Sequence, residues 1–94
     1  MSYFYIITYD LRTPGKDYTS LYAAIKMLTS EWKHPIESTW VVRTDKNANV
    51  IYNSLRETLD RNDRIFITKI DPSDKQGWMD VTFWNWINQP QSYD

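Results

Sequence analysis

The chain is expected to fold as an α+β domain in which two helices cover one face of an antiparallel sheet. Two observations predict this. Runs of β-branched and aromatic residues alternate with segments whose apolar residues recur every three or four positions, the signatures of strands and amphipathic helices. Their order, strand, helix, strand or hairpin, helix, strand, is that of a split βαβ unit. With 94 residues there is room for one core and one domain over 1–94. So small a domain buries only roughly 60–65% of its unfolded surface, which leaves a thin margin of stability. Five Trp, seven Tyr and three Phe partly offset this, since each buried ring removes about 150–250 Å² from water.

Tyr3 to Tyr9 reads as the first strand. Tyr3, Tyr5, Ile7 and Tyr9 fall on one face, and Phe4 and Ile6 on the other. Apolar residues on both faces predict a central strand covered twice. Arg12-Thr13-Pro14-Gly15-Lys16-Asp17 carries turn chemistry and ends in a candidate helix cap, Asp17. Tyr18, Leu21, Tyr22, Ile25 and Leu28 then form one helical face that ends near Thr29 or Ser30.

Trp32 to Ser38 predicts a short edge strand containing Pro35, and Thr39 to Thr44 a clear strand. The two form either a hairpin or one long bent strand. Asp45 is the candidate cap of a second helix with a stripe of Ala48, Ile51, Tyr52, Leu55 and Leu59. The turn Asp60-Arg61-Asn62-Asp63 ends it, and Arg64 to Ile70 is the last strand. The Trp-rich tail over 77–88 suggests a short helix at Val81 to Ile87. Because two helices cover only one sheet face, the other needs a cover, for which this tail, a second subunit or both together are the candidates.

Composition narrows the function classes. There is no cysteine, hence no disulfide framework or thiolate zinc site, which suits a reducing, cytoplasmic compartment. Met1 to Ile7 has no basic flank and meets a charge at Asp10, so it predicts a buried strand rather than a signal peptide or membrane span. The net charge of −1 removes the general electrostatic argument for nucleic-acid binding and leaves only a local patch to do that work.

The residues allow several chemistries. Asp10 can hold a hard cation, or it can be a turn residue paired with Arg12 or Lys16. Ser38 and Thr39 can contact phosphate or orient water, or bond neighbouring backbone. His34, the single histidine, is placed as a surface residue rather than a general acid or base. Asp60, Asn62 and Asp63 lack the spacing of a calcium loop. Trp78, Phe83, Trp84 and Trp86 can stack on bases, but packing against a sheet uses the same residues.

Three short motifs occur in a familiar order. They are Ile7-Thr8-Tyr9-Asp10-Leu11, Glu37-Ser38-Thr39-Trp40-Val41-Val42, and Leu59-Asp60-Arg61-Asn62-Asp63-Arg64-Ile65-Phe66. Together they resemble the small ferredoxin-like family of CRISPR-associated nuclease and adaptation proteins and its VapD toxin relatives. The poorly characterised SinR-like branch is the closest in pattern, through Asp17-Tyr18, Ser38-Thr39-Trp40 and the Trp-containing tail. The resemblance implies a ferredoxin-like split βαβ sandwich that acts as a homodimer on RNA or DNA. It further implies Mg²⁺ or Mn²⁺ held by Asp10, with Tyr9, Arg12, Ser38 and Thr39 on the substrate side. A rival expectation is a non-catalytic dimeric module that binds a protein or nucleotide partner. The slight net acidity and the Gly77 to Ile87 tail depart from the pattern of the CRISPR proteins.

Overall fold

The apolar run at the amino terminus pairs on both sides, and this organises the sheet. The computed structural model describes residues 1–89. Strand β1 (Tyr3–Asp10) lies between β3 (Thr39–Thr44) and β4 (Arg64–Lys69), with β2 (Trp32–Ile36) outside β3. The four strands run in the order β2-β3-β1-β4, every neighbouring pair antiparallel. The expected central, doubly covered strand is therefore β1. Of the two pairings open to the middle segment, the chain adopts the hairpin. Its register shifts between Lys33 and Ile36, where Pro35 has no N–H to give a ladder.

Helices α1 (Thr19–Leu28) and α2 (Ala48–Leu55) lie on the face where Tyr5, Ile7 and Tyr9 point. Ile7, Leu21, Ile25, Ile51 and Leu55 are inaccessible to solvent there, with Trp40 and Val42 from β3. Each such aliphatic side chain contributes about 1.5–3 kcal/mol by leaving water. The opposite face carries a second, smaller cluster, in which Phe4 and Val41 pack against Phe83 and Ile87 of α3 (Val81–Ile87). Asp80 caps α3, its Oδ1 accepting from Phe83 N at 2.8 Å and Thr82 Oγ1 at 2.6 Å. These two hydrogen bonds, that from Thr82 foremost, hold its carboxyl below the usual range. No helix among the described residues is long and apolar enough to cross a membrane.

Three helix boundaries differ from expectation for local reasons. Asp17 does not occupy the cap position of α1: Tyr18 does, without a side-chain cap, and Asp17 Oδ1 instead accepts from Thr19 N at 3.0 Å. The Tyr18 hydroxyl is engaged elsewhere, 2.7 Å from Asp63 Oδ1, so Tyr18 stands at the helix boundary rather than in its apolar stripe. Asp45 is not the cap of α2. The chain first turns through Lys46 N to Thr44 Oγ1 at 3.2 Å, and Asn47 then caps with Oδ1 on Val50 N at 2.9 Å. Finally, α2 stops at Leu55 and tightens into a 3-10 turn, Arg56–Thr58. Thr58 Oγ1 donates there to the Leu55 carbonyl at 2.7 Å, satisfying an end the helix leaves open.

Gly15 is the single described residue with positive φ, at 75°. It follows Pro14 in a turn closed by Lys16 N to Thr13 O at 3.4 Å, where a left-handed backbone favours glycine.

Candidate functional site

Asp10 ends β1, and its place in the pleat decides its surroundings. Successive side chains alternate faces, so Thr8 and Asp10 share the face of Phe4, away from α1 and α2. Their cross-strand partners there are Thr39 on β3, opposite Thr8, and Phe66 and Arg64 on β4, opposite Thr8 and Asp10. The Asp10 side chain is 61% exposed and its Oδ2 accepts from Arg12 Nε at 2.7 Å. Of the two cations the sequence offered as partners, Arg12 takes Asp10, while Lys16 pairs with Asp60 at 3.2 Å.

Asp10 lines two shallow depressions. One, of ≈ 270 Å³, lies between Thr8, Arg64 and Phe66. The other, of ≈ 230 Å³, lies between Tyr22, Glu37 and Ser38. Ser38 thus stands near Asp10, exposed in the β2–β3 turn, where its carbonyl accepts from Tyr9 N at 3.1 Å and Thr8 Oγ1 at 3.3 Å. Thr39 Oγ1 is 3.1 Å from Thr8 Oγ1. Asp10 thus has Arg12 as its ion-pair partner and shares a depression with Ser38, while the Thr39 hydroxyl contacts that of Thr8, two residues before Asp10.

Tyr9 faces the other way, into the helix-side core. Its hydroxyl accepts from Trp40 Nε1 at 2.9 Å and donates to the Glu37 carbonyl at 3.3 Å. Burial pushes the Tyr9 phenol up to about 12, outweighing the lowering effect of the Trp40 hydrogen bond. Tyr9 therefore anchors the β2–β3 turn from beneath. His34 is exposed, as expected, yet it stacks on Trp40 with ring centroids 4.1 Å apart and 14° between planes. Its Nε2 lies 2.8 Å from the same Glu37 carbonyl.

The least foreseen residue is Asp63. It is 8% exposed and accepts three hydrogen bonds: Arg12 N at 2.8 Å and Tyr18 OH at 2.7 Å on Oδ1, and Asp60 N at 2.9 Å on Oδ2. Burial opposes its ionisation, but the three donors, aided by Lys16, outweigh burial and hold the carboxyl below its ordinary range. Asp63 thereby fastens the loop after β1 to the turn before β4 and fixes the backbone from which Arg12 reaches Asp10. A turn rich in Asp and Asn was the only signal in the sequence, because Arg12 is far away along the chain.

As a cation site, one subunit is thinly provided. Among the described residues no group of three or more His, Cys, Asp or Glu side chains is placed to hold a metal ion. Asp10 supplies one carboxylate, and its Oδ2 already faces a guanidinium. Mg²⁺ is commonly held by one or two carboxylates together with water and substrate phosphate, so Asp10 would be the single protein carboxylate for such an ion within one subunit, and a second copy would add another. The comparisons with known proteins found no matching family model, no matching curated protein and no matching solved structure.

Proposed function

We propose that the chain is a ferredoxin-like subunit of a cytoplasmic homodimer with metal-dependent endonuclease-like activity on RNA or DNA. In this reading Asp10 of each copy contributes to one Mg²⁺ or Mn²⁺ site. The observation that carries it is the position of Asp10. It ends the central strand, is largely exposed, and lies on the sheet face away from the two long helices. A second copy related by a twofold axis that passes beside Asp10, at the end of this face that α3 leaves open, would bring its own Asp10 next to the first. The element order and the strand order β2-β3-β1-β4 support the ferredoxin-like assignment.

The residues around Asp10 have complementary tasks in this reading. Arg12 supplies positive charge beside the carboxylate and meets substrate phosphate by exchanging its contact with Asp10 for one with the backbone of the nucleic acid, while Arg64, opposite Asp10 on β4, has its Nη1 on the carbonyls of its own turn. Ser38 and Thr39 offer hydroxyls to phosphate or water. The ion, when bound, lowers the pKa of a water and stabilises charge in the transition state.

A second reading, a non-catalytic dimeric module that binds a protein or nucleotide partner, is favoured by the 2.7 Å pair between Asp10 and Arg12. That pair leaves the carboxylate neutralised within its own subunit. The two readings separate in a cleavage assay on RNA, single-stranded DNA and duplex DNA with Mg²⁺ or Mn²⁺. Cleavage by the wild type that disappears in Asp10→Ala at equal dimer content supports the nuclease. Cleavage unchanged by the substitution sinks the role of Asp10, and a stable dimer that cleaves nothing supports the module.

A further inference from the structure

Phe66 is the exception in its strand. Its neighbours Ile65 and Ile67 pack against the helix-side core, whereas Phe66, opposite Thr8, turns to the other face and is 64% exposed. It belongs to neither apolar cluster and, among the described residues, has no ring partner.

The surroundings of the ring are polar. The depression of ≈ 270 Å³ that it borders is also lined by Thr8, Asp10 and Arg64, and Thr39 follows in the same cross-strand row, its hydroxyl 3.1 Å from that of Thr8. Asp10 is already neutralised by Arg12 at 2.7 Å. Arg64, two residues before Phe66 and on the same face, is held by its Nη1 on the carbonyls of Arg61, Asn62 and Asp63. Among the described residues it pairs with no carboxylate. The charge left beside the exposed ring is therefore one fixed guanidinium.

We propose that Phe66 is a base-stacking residue: an unpaired base of a single-stranded nucleic acid lies on its ring, with an adjoining phosphate at Arg64. This rests on the nucleic-acid reading above and narrows its substrate to strands whose bases are free. Two features select a base rather than an apolar side chain of a protein. A protein anchor is enclosed in a closely packed pocket that excludes water, whereas this ring stands among hydroxyls and a cation, which suit the polar edge of a base and the phosphate of its nucleotide. The guanidinium is also complementary in charge to that phosphate, on a chain whose formal charge is −1. Successive positions on one face of a strand lie roughly 7 Å apart, the scale of one nucleotide, so base and phosphate reach ring and guanidinium together. A duplex keeps its bases stacked on one another, and a sheet-borne aromatic takes only bases that are splayed out.

The test is fluorescence anisotropy with short end-labelled RNA and DNA of mixed sequence, each as a single strand and as a duplex, in EDTA so that nothing is cleaved. Wild type, Phe66→Ala, Phe66→Leu and Phe66→Trp are compared, with circular dichroism melts alongside. The expected result is a single strand bound more tightly than its duplex, and a dissociation constant about 5- to 150-fold higher in Phe66→Ala, the range for loss of one stacking aromatic. Phe66→Leu, which keeps apolar bulk but has no π-face, weakens binding similarly, and Phe66→Trp retains it. The melts stay close to that of the wild type, because Phe66 is outside both clusters. A wild type that binds neither strand, a duplex bound as tightly as its single strand, or unaltered affinity in Phe66→Ala overturns the proposal. So does a dimer that Phe66→Ala dissociates in sedimentation equilibrium, which would place the ring in a protein interface. Asp10-dependent cleavage of duplex would then still uphold the nuclease reading. Conversely, Phe66-dependent binding of single strands without cleavage removes the nuclease and leaves the stacking site in place.

Discussion

Replacing Asp63 by alanine strands three donors at once, the Arg12 and Asp60 amides and the Tyr18 hydroxyl, which its carboxylate accepts at 2.7–2.9 Å. A hydrogen bond to a charged group contributes about 1.5–3 kcal/mol net. Three such bonds do not add fully, because they share one carboxylate and because water reaches a loop once the side chain is cut back. The expected loss is therefore about 2–4 kcal/mol, against a total of roughly 5–14 kcal/mol for a chain of this length. In a thermal melt followed by circular dichroism, that is a fall in Tm of roughly 10–25 °C.

Two controls separate the parts of this network. Tyr18→Phe removes one donor to Asp63 and the weaker acceptor of the Thr13 amide at 3.3 Å; it should cost about 1 kcal/mol, and in the double variant its effect should shrink to the share of the Thr13 contact. The pH dependence follows from the depressed carboxyl of Asp63. Its stabilisation is fully present above the unfolded carboxyl pKa of about 3.9 and is lost as pH falls through the lower, folded value. The wild type should therefore lose stability in acid more steeply than Asp63→Asn. An Asp63→Ala melt within a degree or two of the wild type would refute the idea that this carboxylate ties the two loops together.

Two further outcomes can be checked alongside. Tyr9→Phe should cost about 1–3 kcal/mol by leaving the buried Trp40 N–H without an acceptor. Since burial pushes the Tyr9 phenol up to about 12, its share of stability is present below the unfolded value near 10 and declines as pH rises toward 12, so the alkaline limb of a denaturation profile should be shallower in Tyr9→Phe. Asn47→Ala should lower stability by about 1 kcal/mol through loss of the α2 cap, whereas Asp45→Ala should leave the urea midpoint nearly unchanged.

Features that depend on neighbours in sequence were legible. The alternation of Tyr5, Ile7 and Tyr9 against Phe4 marked a strand covered on both faces, and the three- and four-residue spacing of Leu21, Ile25 and Leu28 marked α1 and its buried side. Choices between nearby polar residues were not. Asp45 and Asn47 are both good caps, and the Thr44 hydroxyl turn decides between them. Tyr18 fits the apolar stripe of α1 by spacing, but a carboxylate 45 residues onward draws it out. At the candidate site, Arg12 was one of two cations the sequence offered to Asp10, and it is the one that pairs with it. Asp63 was read only as a turn residue, since nothing local indicates that an acidic turn will accept the amide of a residue 51 positions earlier.

Arg12 is held twice, by its backbone and by its side chain, through two different carboxylates. Because the Arg12 amide is tied to Asp63 independently of the side chain, rotation of the guanidinium alone would uncover Asp10 without breaking that backbone contact. Such rotamer exchange at an exposed side chain takes picoseconds to nanoseconds, far faster than the opening of a loop or lid. An incoming anion would then compete with Asp10 for a guanidinium on a stationary backbone, so occupancy around Asp10 would be governed by which negative group Arg12 meets and by the ionic strength around it.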